Sequence, residues 1–294
     1  MKRGSTIKHE TDQKLILERR MITRHHVLEL DRDMCIGCHI GPLVCPQEAV
    51  ELTPAIVEDG RLIDKPLANI DVAKCNFCGG CVVLCPFNAI HLMVDDKPEI
   101  PVLEYEIFPE LSKHLSVTLE LCRPDCKLAC QEICPTECIE VETKRKRDGE
   151  ITQIIDVKVE LEKCIYCVEC AVACPEDAIT VTKPWDGRLM LDTEQCPKDC
   201  QACVDICPTD ALQMKDGRLV KDERFCLFCG ACEEVCPVEE ALVVIRRRIG
   251  HTEIMPGAWS DALERLISFD AKQDELKAKA QANRREVIRF LPDA

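Results

Sequence analysis

The chain has 294 residues, a formal net charge of −15, only 4% aromatic residues and 24 cysteines. An acidic body excludes the basic footprint that nucleic-acid binding needs, and no run of 18 apolar residues offers a membrane span. Residues 1–24 carry no apolar stretch behind their basic side chains, and Arg19-Arg20 is followed by MITRHH rather than an export signal. The expected setting is therefore a reducing cytoplasm, where dense cysteines point to metal before disulfides.

In chain order, residues 1–26 read as a basic N-terminal arm, with seven Lys and Arg against Glu10, Asp12 and Glu18. Next comes VLELD, then CIGCHIGPLVCP at 35–46, then Ala49-Val50. The same order recurs five times. The later cysteine motifs are CNFCGGCVVLCP (75–86), CRPDCKLACQEICP (122–135), CIYCVECAVACP (164–175), CPKDCQACVDICP (196–208) and CLFCGACEEVCP (226–237). A short apolar/acidic alternation precedes each motif, and Cys-Pro-x-x-Ala-aliphatic follows most of them, as at Ala89-Ile90, Ala178-Ile179 and Ala211-Leu212. Period-two alternation predicts strands. Each copy thus reads as strand, cysteine loop, one short helix, strand, with the proline forcing the cysteine before it into an extended conformation that ends the helix.

Three copies read Cys-x2-Cys-x2-Cys-x3-Cys-Pro without change, the spacing by which bacterial-type ferredoxins hold iron–sulfur cubes. In two-cluster ferredoxins the fourth cysteine ligates the neighbouring cube, so copies are expected to pair 1 with 2, 3 with 4 and 5 with 6. Cluster one would take Cys35, Cys38 and Cys85; cluster two Cys75, Cys78, Cys81 and Cys45. Cluster three would take Cys122, Cys126, Cys130 and Cys174; cluster four Cys164, Cys167, Cys170 and Cys134. Cluster five would take Cys196, Cys200, Cys203 and Cys236; cluster six Cys226, Cys229, Cys232 and Cys207. Six [4Fe–4S] clusters follow, and the fold class is α+β: three tandem two-cluster ferredoxin domains with a helical C-terminal tail. Four cysteines in a short run ending in proline are not the two separated pairs of a zinc site.

Copy one is defective, because Gly41 stands in the slot of the third cysteine. Four outcomes compete there: His39 as a fourth ligand, solvent on one iron, a three-iron cluster, or no cluster. Cys138 is left over and occupies the Ala slot of its copy, so it is expected as a small buried apolar residue. The boundaries are 1–26 for the arm, 27–95 for pair one, 96–117 for an extended linker, 118–184 for pair two, 185–250 for pair three and 251–294 for a helical docking tail. Tyr105 and Phe108 are expected to cover the pair-two core or to insert into a partner. Trp259, Ala262, Leu263, Leu266 and Ile267 mark one helix face, which is expected to dock either on its own body or, by preference, on another subunit. A small domain of this size has a marginal core, so cluster binding is expected to supply folding energy and the iron-free chain to be largely unfolded.

No G-x-G-x-x-G, Walker loop or H-E-x-x-H motif is present, and no catalytic residue is picked out; a relay of single electrons along successive cubes is the economical reading. The chain resembles archaeal polyferredoxins, closest to the polyferredoxin subunit of tungsten- or molybdenum-dependent formylmethanofuran dehydrogenase. The resemblance rests on CNFCGGCVVLCPFNAI with DKPEIPVLEYEIFPEL, on TKPWDGRLMLDTEQCPKDCQACVDICPTDAL and on FCLFCGACEEVCPVEEALVVIRRRIGHTEIMPGAW, and it covers roughly residues 27–267. The chain departs from that family at Gly41 and is short by a ferredoxin pair. The resemblance implies an electron conduit without an active site of its own. It would take low-potential electrons from a ferredoxin, hydrogenase or heterodisulfide reductase and pass them to a metallopterin subunit that reduces CO2 in methanogenesis. The alternatives are a polyferredoxin serving a hydrogenase or heterodisulfide reductase complex, and a stand-alone enzyme using cluster one.

Overall fold

The computed structural model describes residues 4–253 and 257–267. The N-terminal segment departs from the reading of a basic arm. β1 (Ser5–Glu10) and β2 (Lys14–Arg20) form an antiparallel hairpin, and β2 pairs along its length with β3 (His25–Asp31). The reason lies in the KLILERR alternation, which buries Leu15 and Leu17 completely while Lys14 and Arg20 stay exposed. The boundary at 26/27 accordingly falls inside β3.

Pair one continues with α1 (Ile40–Val44), β4 (Val50–Leu52), β5 (Ile56–Glu58), β6 (Arg61–Asp64), β7 (Ala68–Ile70), α2 (Gly80–Leu84), β8 (Ile90–Val94), β9 (Lys97–Pro98) and α3 (Pro101–Glu104). β3 pairs antiparallel with β8 and β4 with β7, so the two copies face each other and their helices touch. The five-stranded sheet has the order β1-β2-β3-β8-β9.

Pair two comprises β10 (His114–Val117), α4 (Ala129–Glu132), β11 (Ile139–Arg145), β12 (Ile151–Val159), α5 (Glu169–Ala173) and β13 (Ile179–Thr182). Pair three comprises β14 (Trp185–Leu191), α6 (Ala202–Ile206), β15 (Leu212–Lys215), β16 (Arg218–Lys221), α7 (Ala231–Glu234) and β17 (Leu242–Ile249), and it is followed by α8 (Ala258–Ile267). The ladders repeat: β10 with β13 and β11 with β12, then β14 with β17 and β15 with β16. Every copy therefore follows the strand, loop, short helix, strand order. The helices are single turns, too short to persist alone. Four of them end where the proline rule places the end: Cys45, Cys85, Cys174 and Cys207 are extended caps, with ψ between 110° and 117°.

Three expectations are corrected here. Residues 96–117 are not an extended linker, since they begin as β9, turn through α3 and finish as β10, a strand of pair two. Phe108 is buried at 7% exposure, but its ring stands edge-on to Trp259 with centroids 5.4 Å apart, in a core shared by pairs one and three; Tyr105 is exposed. The tail helix docks on its own chain. Trp259, Ala262 and Leu266 are buried against α1 and β17, and the indole Nε1 donates to His251 Nε2 at 3.2 Å. The charged pattern of residues 271–291 lies outside the described residues.

Three apolar cores organise the molecule. One joins Ile40, Val44, Leu84 and Phe108 to Trp185, Leu189, Ala202 and Leu242 of pair three. A second fills pair one and accepts Ile165 and Cys167 from pair two and Leu227 from pair three. The third lies within pair two, around Ile139, Tyr166 and Ile179. Among the described residues, no helix is long and apolar enough to cross a membrane.

Candidate iron–sulfur sites

The cysteine loops are wrapped by residues in left-handed backbone. Gly79 and Gly230 follow the second cysteine of their copies at φ +84° and +88°, and Val168 holds the same place at φ +75°. A β-branched residue there is strained by about 1–2 kcal/mol, so the surrounding loop must over-determine the turn.

The thiols are brought together in six sets. Burial, followed by the neighbouring thiols of Cys229, Cys85 and Cys35, pushes Cys38 well above the ordinary thiol range. Burial and then Cys78, Cys75 and Cys45 do the same to Cys81. Cys130 is pushed up to about 11 by burial, with Cys126, Cys174 and Cys122 around it. Burial raises Cys167 to about 12, with Cys170 and Cys134 beside it, and Cys164 lies in the same set. Cys203 rises to about 12 through burial and then Cys200, Cys236 and Cys196. Burial and then Cys229, Cys207 and Cys226 act on Cys232. In each set one thiol comes from the Cys-Pro of the facing copy.

Four sets line cavities: Cys122, Cys126, Cys130 and Cys174; Cys207, Cys226, Cys229 and Cys232; Cys196, Cys200, Cys203 and Cys236; and Cys134, Cys164, Cys167 and Cys170. Among the described residues, no three His, Cys, Asp or Glu side chains converge where a single ion would sit. Thiols that crowd one cavity without converging on a point suit a polynuclear cluster with one thiolate per iron. They cannot ionise together without added positive charge, and bound iron supplies it.

The Cys-Pro-x-x-Ala pattern has a local cause. The Ala49, Ala89 and Ala178 amides donate to the sulfurs of Cys45, Cys85 and Cys174 at 3.3, 3.4 and 3.3 Å. Such N–H···S bonds orient a thiolate and tune the metal behind it. Cys138, in the fourth residue after Cys134, is buried at 4% and its sulfur lies 3.5 Å from Cys134 Sγ. It adds a thiol contact where the other copies have a methyl group.

His39 does not stand free as a cluster ligand: its Nε2 lies 2.5 Å from Glu234 Oε1, in pair three. Gly41 lies inside α1, and a Cβ placed on it would meet Val50 Cγ1 at 3.3 Å.

The sets are not strung in chain order. Cys38 of the first set and Cys229 of the sixth are electrostatic neighbours. The Asn88 amide donates to the Cys164 carbonyl at 3.1 Å, joining the Cys85 turn to the loop of the fourth set. Lys183 Nζ donates to the Cys226 carbonyl at 2.7 Å and is an electrostatic neighbour of Cys167, linking the sixth set to the fourth. The first, fourth and sixth sets thus meet at a junction. Pairs two and three both pack on pair one. A hairpin that sequence reading passed over fastens pair one to pair three: Gly60 accepts the Gln201 N–H at 2.7 Å, and Arg61 grips Asp205 through two 2.8 Å bonds.

The fold and its thiol sets define an iron–sulfur protein built from repeated dicluster modules. The 4Fe-4S dicluster domain family matches residues 34–89, 163–211 and 195–239. A seven-iron ferredoxin of Hydrogenibacillus schlegelii is 33% identical over 82 residues, 27% of this chain and 94% of the relative. The polyferredoxin protein MvhB of Methanothermobacter marburgensis is 38% identical over 91 residues, 28% of this chain and 21% of the relative. The chain belongs to the ferredoxins and binds multiple [4Fe–4S] clusters. Among solved structures, a chain of the formate dehydrogenase–heterodisulfide reductase–formylmethanofuran dehydrogenase complex from Methanospirillum hungatei superimposes with a TM-score of 0.77 and 28% identity. That match covers 90% of this chain and 92% of the other. The chain spans only 57% and 21% of the lengths of the first curated relatives it matches.

Proposed function

We propose that the chain is an electron-transfer polyferredoxin subunit in which the six thiol sets hold the clusters, and that it serves a metallopterin formylmethanofuran dehydrogenase. The clusters supply one-electron carriage. The chain's own residues do the rest. The exchanged Cys-Pro cysteines tie the two copies of each pair together, the Ala-slot amides fix the thiolates, and Phe77, Tyr166 and Phe228, buried at 2%, 8% and 2% exposure, keep water from the even-numbered sets.

The observation that carries the reading is the junction of three sets inside one chain. A carrier for one donor and one acceptor needs no branch; a subunit that connects several redox centres does. The likeness over 90% of the chain to a component of a multi-enzyme redox complex supports a partner of that class. The test is anaerobic affinity purification of the tagged chain from its native source. Co-purification with a molybdopterin or tungstopterin subunit supports the assignment. Recovery with a nickel hydrogenase alone overturns the partner and leaves the polyferredoxin role.

A further inference from the structure

Three cations stand where the three pairs meet, and none is needed to hold a thiol. Arg246 on β17 is 7% exposed. Its Nε donates to the Phe228 carbonyl at 2.7 Å and its Nη2 to the Cys229 carbonyl at 2.9 Å. The thiols of Cys229 and Cys38 both act on its charge, so it lies between the sixth and first sets. Lys183, half-buried between β13 and β14, donates Nζ to the carbonyls of Glu223, Arg224 and Cys226 at 3.1, 2.8 and 2.7 Å and sits 5.2 Å from the Phe228 ring centre. Cys226 and Cys167 act on it from the sixth and fourth sets. Lys113, just before β10, holds its Nζ 5.3 Å from the centre of the Tyr166 ring, with Cys164 and Cys85 acting on it from the fourth and first sets. Each contact of the junction therefore has one cation.

The partners of Arg246 and Lys183 are carbonyl oxygens, which anchor a charge without cancelling it. Glu233 near Arg246, and Asp186 and Asp222 near Lys183, offset part of it. The first set is less negative again, because Gly41 removes one thiolate and Lys65 and Arg32 act on Cys35. The other sets differ. Cys196 has Asp192 as its neighbouring charge, and Cys122 has Arg123 opposed by Glu120. Among the described residues, the second set has a comparable cation: Arg19 lies 4.5 Å from the Phe77 ring centre and bonds the Cys75 carbonyl.

Resting on the reading that the thiol sets hold clusters, we infer that Arg246, Lys183 and Lys113 form a cationic clasp that makes the three inner clusters easier to reduce than the third and fifth, so that an electron entering by any arm settles at the junction. Reduction adds one electron and one unit of negative charge, with no bond broken and no proton required, and a fixed positive charge beside the cluster favours the reduced form. The effect grows as solvent is excluded, so the order is Arg246, then Lys183, then the more exposed Lys113. This turns a passive chain of carriers into a distributor with a defined resting place for charge.

The test is an EPR-monitored potentiometric titration of the full, cluster-loaded chain, with viologens as one-electron donors. In the unaltered chain, a group of components reduces ahead of the rest. Lys183→Met and Arg246→Gln each lower components of that group by about tenfold in the reduction equilibrium, which is 59 mV for a one-electron couple. Lys113→Met lowers them by less, Lys183→Arg restores the original curve, and Arg19→Gln moves one other component instead. Loaded variants with unchanged curves, equal shifts of all components, or an unaltered chain with no early-reducing group would each overturn the clasp. If Arg246→Gln does not load iron, the two lysine variants decide alone. Failure to co-purify with a metallopterin subunit removes the partner and leaves the clasp standing; a chain that loads no iron removes both.

Discussion

The hairpin that closes on the fifth thiol set offers a controlled perturbation. Gly60 turns β5 into β6 at φ +76°, and a Cβ there would lie 2.7 Å from Cys200 Cα and 3.2 Å from its nitrogen. Both atoms are backbone of the loop that carries Cys196, Cys200 and Cys203, so neither can swing aside. Gly60→Ala costs about 1–2 kcal/mol for the left-handed backbone alone. The clash also lifts the hairpin, removing the Gly60–Gln201 hydrogen bond, worth about 1 kcal/mol, and the Arg61–Asp205 pair. Because the Arg61 side chain is 58% exposed, that pair contributes no more than about 1 kcal/mol. Gly217→Ala is the control: its φ is +72°, and nothing lies within 4 Å of the added carbon. The difference between the variants is therefore about 2 kcal/mol, or about thirtyfold in a local opening equilibrium. The assay is anaerobic iron release to a ferrous chelator. About four iron atoms per chain should leave about thirtyfold faster from Gly60→Ala than from Gly217→Ala. Equal release rates would refute the latch between pairs one and three.

Cys45→Ala, although it alters the first motif, should empty the second set and spare the first; loss of the first set's signal instead would end the exchange of ligands between copies. Cys138→Ala should keep the full iron content and lower the potential of the fourth cluster by removing the thiol beside Cys134; a loss of about four irons would make Cys138 a ligand. Trp259→Ala empties a site packed against Phe108 and His251 and should destabilise the docking of α8 by about 3–5 kcal/mol, read as a lower thermal midpoint with unchanged iron content. Iron removal should abolish the far-UV dichroism of the single-turn helices; a retained spectrum would show that the apolar cores suffice without clusters.

The fold of each copy was legible because one residue pattern states it four ways: alternation for the strands, cysteines spaced by three for the loop, a four-residue step for the helical turn, and proline for its end. The N-terminal hairpin was obscured by its own charge, since the seven basic residues drew attention away from the Leu15 and Leu17 alternation between them. The tail helix was readable as amphipathic, but an apolar stripe does not say what covers it, and here the cover is Phe108, from a segment read as linker. The junction was hidden because it is a property of how three pairs pack. Arg246 is one of three adjacent arginines, and the alternation of β17, which buries Leu242 and Val244, turns it inward while Arg247 and Arg248 stay exposed. Gly41 was visible from the start, and its meaning changes once the first set is found at the meeting point of all three pairs.

Iron and acid-labile sulfide, counted per chain in anaerobically isolated protein, bear most directly on whether these cysteines form a branched array of exchanged clusters. About 24 of each would accord with six four-iron clusters, the first completed on three thiolates. About 20 or fewer would leave the junction without its central member, and iron without matching sulfide would contradict the cluster assignment itself.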